Sequence, residues 1–98
     1  MIVVQHNKNF LDFSFSCRED KLKEMANDIK PEDLEIVAEV DGFNLDDAFR
    51  LTNHIDHAWQ KNKGIKVLSN KARSTSVGDI MIRDGKRYIV AGCGFVEI

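Results

Sequence analysis

The chain has few residues that restrain or cross-link a backbone: two cysteines, Cys17 and Cys93, one proline, Pro31, and six glycines in 98 residues. Two widely spaced thiols argue against a disulfide framework and fit reduced cysteines in a cytoplasmic compartment. With Pro and Gly scarce and 43% of residues hydrophobic, wholesale disorder is excluded. No apolar run approaches the roughly 20 residues that cross a bilayer, so a membrane partner is not expected. The start, Met1-Ile2-Val3-Val4-Gln5-His6, also lacks the basic-then-apolar order of a signal peptide. The expected location is therefore the cytoplasm.

What is present suits one domain with one modest core. The net charge of -2 hides a division along the chain. Up to Gln60 there are 6 Lys/Arg against 13 Asp/Glu, a balance of -7; from Lys61 onward there are 8 against 3, a balance of +5. An acidic front and a basic back either attract each other within the fold or present differently charged faces to partners. Because surface ion pairs stabilise little, the second consequence bears more on function.

Hydrophobic periodicity marks the elements. Ile2 to Gln5 reads as a strand, and Leu11, Phe13, Phe15 and Cys17 alternate with polar residues like a second strand paired to it through Asn7-Lys8-Asn9. Ser16-Cys17-Arg18-Glu19 has the form of a capping box, ahead of a helix with Leu22, Met25, Ala26 and Ile29 inward and Pro31 at its end. Leu34, Ile36, Ala38 and Val40 predict a half-buried strand stopping at Asp41-Gly42. Asn44 is a good N-cap with Asp46 and Asp47 in the first turn behind it, and Leu45, Ala48, Phe49, Thr52, Ile55 and Trp59 form the inward stripe of that helix.

Further on, Ile65 to Leu68 is a short strand and Ser69 to Ser76 a polar loop. Asp84-Gly85 between Ile80-Met81-Ile82 and Tyr88-Ile89-Val90 signals a two-residue hairpin, pairing Met81 with Tyr88 and Ile80 with Ile89. Apolar groups on both of its faces predict cover on both sides. Gly92-Cys93-Gly94 suggests a bend before a last strand, Phe95 to Ile98. The expected fold is α+β: a single small domain, residues 1–98, with a mostly antiparallel sheet, two helices and a C-terminal β-hairpin.

The stretch from Ala72 to Ile98 carries Arg73-Ser74-x-Ser76-Val77-Gly78-Asp79-Ile80, a short turn, an aromatic strand at Tyr88 and the ending Gly94-Phe95-x-Glu97-Ile98. In this it resembles the YodL-like family of bacteriophages, plasmids and conjugative elements. The preceding Ala48 to Trp59 is similar to the segment that often stands before it. Where the family often has an aspartate-serine pair before Gly-Phe, this chain has Ala91-Gly92-Cys93. The resemblance covers roughly the second half, and implies a protein made inside a bacterial host by a mobile element; it brings no activity to assign.

Arg73 to Asp79 has the composition of a phosphate loop, but a hairpin rather than a helix follows it, so no helix N-terminus aims at an anion. Turn formation by Ser74, Thr75 and Ser76, with Gly78 permitting the turn and Asp79 bonding locally, is the expected role. His54 and His57, with Asp56 between them, share a helix face in the manner of zinc ligands, yet only His6, Cys17 and Cys93 could complete a set, and no paired spacing supports it. Neither cysteine has a base at an informative distance in sequence. No cofactor is called for.

The expectation is thus a non-catalytic protein that binds a host or element protein, with Glu32, Asp33, Glu35, Asp46 and Asp47 as the acidic contact. The alternative is nucleic-acid binding through the basic half, with Arg73, Lys86 and Arg87 as contacts.

Overall fold

A computed structural model describes residues 1–13, 18–41, 44–53, 59–61, 64–69, 72–92 and 94–98. Among them are six strands and two α-helices: β1 (Ile2–Asn7), α1 (Glu19–Asn27), β2 (Leu34–Val40), α2 (Leu45–Thr52), β3 (Ile65–Val67), β4 (Ile80–Arg83), β5 (Lys86–Ala91) and β6 (Gly94–Glu97). The strands make one sheet in the order β3-β2-β1-β4-β5-β6, every neighbouring pair antiparallel. This is the expected α+β architecture.

Both faces of the sheet are covered in part, which explains the consecutive apolar residues of β4 and β5. Ile2, Val4, Ala38, Val40, Met81 and Val90 pack with Leu45 and Ala48 of α2 and with Trp59. Ile80, Ile89, Ala91 and Val96 pack instead with Phe13 and with Leu22 and Ala26 of α1. Neighbours along a strand point to opposite faces, so Ile80 and Met81, like Ile89 and Val90, serve opposite clusters.

The β4–β5 hairpin has the register its turn requires: Ile80 faces Ile89 and Met81 faces Tyr88. Asp84 and Gly85 at its tip have φ of 53° and 77°, the positive values of a type I′ turn. Asn44 caps α2 as expected, its side chain accepting from the Asp47 N–H at 2.8 Å. That helix ends at Thr52, and Trp59 belongs to a separate 3-10 turn, Trp59–Lys61. The Thr52 carbonyl, freed at the helix end, accepts from the Thr75 N–H at 2.8 Å.

Besides the helix that was expected to reach Trp59, two strand expectations fail. Leu11 and Phe13 lie in a 3-10 turn, Phe10–Phe13, and β1 pairs with β2 and β4 instead. Alternation there reflects one buried residue, Phe13, in a tight turn with Leu11 exposed, and neither forms a ladder. Ile36 is the second. A bulge shifts the β1–β2 register so that Val4 faces Ala38 and Gln5 faces Ile36, leaving Val37 as the extra residue. Val37 is fully buried while Ile36 is 47% exposed.

Ser16 and Cys17 of the expected capping box, and the continuation of the strand, lie outside the described residues, but the box itself fails, because Glu19 is the first residue of α1 and not the third. Arg18 occupies the N-cap of α1, in extended conformation and without a side-chain cap bond. The stop at Gly42 and the inward position of Ile55 also lie outside the described residues.

Candidate functional site

The polar loop before β4 docks against the end of β1, and the two together make the densest polar cluster described. Asp79 is fully buried. Its Oδ1 accepts from Arg73 Nη2 at 2.7 Å and from the Asn7 N–H at 2.9 Å; its Oδ2 accepts from Arg73 Nη1 and from the Ser76 N–H, both at 2.7 Å. Arg73 also donates to the carbonyls of Asn7 and Ser74, each at 3.0 Å, and its guanidinium carbon lies 3.6 Å from the centroid of the Phe10 ring. A bidentate pair stacked on an aromatic face is a role that arginine performs and lysine does not.

The loop therefore does grip an anion, and that anion is its own aspartate. The amides and guanidinium that a phosphate would need are taken by the Asp79 carboxylate. Asp79 bonds locally through Ser76, as expected, but the Thr75 hydroxyl reaches His6 Nε2 at 2.9 Å. Gly78, at φ 95°, lies flat against the Phe10 backbone and donates its N–H to the Val90 carbonyl at 2.8 Å. Asn7, fully buried, closes the cluster by donating from Nδ2 to the Gly78 carbonyl and accepting at Oδ1 from the Asn9 N–H.

His6 has the partners of a catalytic triad without its geometry. Thr75 Oγ1 at 2.9 Å and Asp79 Oδ2 at 3.9 Å both approach the same ring nitrogen, Nε2. In a triad the base meets nucleophile and carboxylate on opposite nitrogens. Thr75 is also fully buried, and His6 is 7% exposed. Burial lowers the His6 pKa below its ordinary value; Asp79 raises it in smaller measure, Arg73 lowers it and Glu35 raises it. Near pH 7 the ring is neutral.

Three of the expected contact residues come together. Glu32, Asp33 and Glu35 line one cavity of about 190 Å3 with His6, Lys8 and Arg73. Asp33 is tied back, its Oδ2 accepting from Asn9 Nδ2 at 3.3 Å, whereas Glu32 and Glu35 are exposed. Asp46 and Asp47 stand apart on α2, and Asp46 lines a different cavity. Asp47 pairs with Arg50 at 3.5 Å.

The basic residues are not brought together. Arg73 bonds the Asn7 carbonyl at one end of β1, while Lys86 pairs with Arg83, which faces Ile2 at the other end. One strand length, about 17 Å, separates them. Arg87 lies on β5 opposite Ile82. Comparison with family models, curated proteins and solved structures finds no match to this chain.

His54, Asp56, His57, Cys17 and Cys93 lie outside the described residues. Among those described, no group of three His, Cys, Asp or Glu is placed to hold a metal ion, and no helix is long and apolar enough to cross a membrane. The sequence reading missed Asn7, His6 and Phe10 as partners of the loop. A signal did exist: Arg73 and Asp79 flank three hydroxyl residues and a glycine with no other charge between them, a composition suited to an internal ion pair.

Proposed function

We propose that this protein is a small, non-catalytic accessory protein of a bacteriophage or related mobile element, acting by binding a basic surface on a host or element protein. The supporting observation is the gathering of Glu32, Asp33 and Glu35 around one cavity while Arg73, the cation beside them, is neutralised internally by Asp79. Among the described lining residues, Lys8 is then the cation left to oppose three carboxylates on that rim. The likeness of the second half to YodL-like proteins supports the mobile-element origin, and the closed geometry at His6 and Thr75 supports a binding role over catalysis there.

The test is affinity capture from bacterial lysate at low ionic strength, comparing the wild type with a triple variant Glu32→Lys, Asp33→Lys, Glu35→Lys. A protein retained by the wild type, lost from the variant and released by salt is the expected result, because electrostatic attraction between exposed groups is screened within about 10 Å at ~0.1 M salt. Identical captures by both proteins would sink the reading.

The nucleic-acid alternative keeps Lys86 and Arg87 on β5, where the Tyr88 ring centroid lies 5.5 Å from the guanidinium carbon of Arg83 on β4. It requires DNA or RNA affinity that falls steeply with salt and drops in Lys86→Glu, Arg87→Glu. Fluorescence anisotropy with a labelled oligonucleotide decides it.

A further inference from the structure

A second cavity, between α2 and the β5–β6 corner, combines features that the acidic rim lacks. It measures about 260 Å3 and is lined by Asp46, Phe49, Val77, Val90, Gly94 and Phe95. Phe49 and Phe95 meet edge to face with centroids 6.5 Å apart, and both stay half-buried, so the α2-side core leaves part of each ring uncovered. Gly92 and Gly94 add no side chain to the corner.

Asp46 is exposed and therefore stands where this groove meets solvent. Asp47 next to it is paired with Arg50, but among the described residues no cation pairs with Asp46. The positive end of α2 amounts to about half a charge, less than the full charge of Asp46, so the mouth of the groove stays negative. An apolar, aromatic floor with a carboxylate at its lip matches a long aliphatic stem ending in a cation. A neutral apolar side chain would leave Asp46 unused, and an acidic one would be repelled.

We infer that this groove anchors one lysine or arginine side chain of a basic partner protein, its stem against Phe49 and Phe95 and its cation at Asp46. The inference rests on the acidic-surface reading above and adds which side chain is held, and where.

The experiment is an NMR titration of the full chain with capped octalysine, and with an octamer of 2,3-diaminopropionate, which has a shorter stem. Near 0.01 M salt, where the Debye length is about 30 Å, both peptides can engage exposed carboxylates. Octalysine is expected to shift Phe49 and Phe95 resonances, and to bind about five-fold more weakly to Asp46→Asn than to the wild type, while Asp47→Asn changes little. The short-stemmed octamer is expected to leave the two rings unshifted. Phe95→Leu, which keeps an apolar wall, should weaken octalysine and spare the shorter peptide. Octalysine shifts confined to Glu32, Asp33 and Glu35, with Asp46→Asn unchanged, would overturn this groove and leave the acidic-surface reading standing. Absence of binding by either peptide would overturn both.

Discussion

Arg73 holds Asp79 through its two terminal guanidinium nitrogens, each 2.7 Å from a different carboxylate oxygen. Removing one partner of a buried pair costs about 3–5 kcal/mol, because the other keeps its desolvation without its bond. Asp79→Ala should reach that range, since it also orphans the N–H groups of Asn7 and Ser76. Arg73 is one-third exposed, so Arg73→Ala should cost less, about 2 kcal/mol. Arg73→Lys keeps the charge but loses the fork, and should fall between Arg73→Ala and wild type. Urea unfolding of the three variants gives the order. A lysine variant as stable as the wild type would show that charge alone suffices.

Gly78 and Gly85 both have positive φ, yet their surroundings differ. A Cβ on Gly78 would run into the Phe10 backbone, meeting its carbonyl oxygen and lying 2.8 Å from its Cα, whereas one on Gly85 meets nothing within 4 Å. Gly85→Ala should cost only the left-handed backbone penalty, about 1 kcal/mol. Gly78→Ala adds overpacking against backbone and should cost about 3 kcal/mol or more. Equal losses of denaturation midpoint for the two would contradict the close approach of Phe10.

The stability of the protein should depend on pH through His6. Burial, the largest influence, lowers its pKa below 6.5, opposed in part by Asp79. Above pH 6.5 the ring is neutral in the folded and unfolded chain, and the stability tied to it is fully present. As pH falls further the unfolded chain takes up the proton first, so stability is lost until folded His6 protonates too. His6→Gln lacks this term. Unfolding free energies measured in steps from about pH 7.5 to 5 should show the wild type losing ground to His6→Gln on acidification. A constant difference would mean that His6 titrates alike in both states.

The bulge in β2 makes a contrast between neighbours. Val37→Ala opens space in a buried site and should cost about 2 kcal/mol. Ile36→Thr, on an exposed position, should stay within about 0.5 kcal/mol. The reverse order would restore the simple alternation of Leu34, Ile36, Ala38 and Val40 and remove the bulge.

Those two residues show where reading the chain alone breaks down. Alternation over Leu34, Ile36, Ala38 and Val40 correctly marks a strand, but its phase changes at Val37, and the change becomes visible only against the β1 partner. Similarly, Leu11 and Phe13 have strand periodicity over too few residues to distinguish a ladder from a 3-10 turn. Among the contact residues, Glu32, Asp33 and Glu35 are neighbours in the chain and remain so in space, while Arg73 and Lys86 share a charge and a chain half but not an end of the sheet.

By itself the sequence determined features whose physics is local: the Asp84-Gly85 turn and the register it imposes, the Asn44 cap of α2, and the two-faced apolar runs of β4 and β5. Each depends on residues within a few positions, where backbone sterics and a single side-chain bond decide the outcome. The tertiary structure alone decided that His6 meets Thr75, that Asn7 meets Asp79, and that Phe10 lies beneath Arg73. These partners stand some 60 to 70 positions apart in the chain, and a buried charge seeks whichever donors the folded sheet brings within reach.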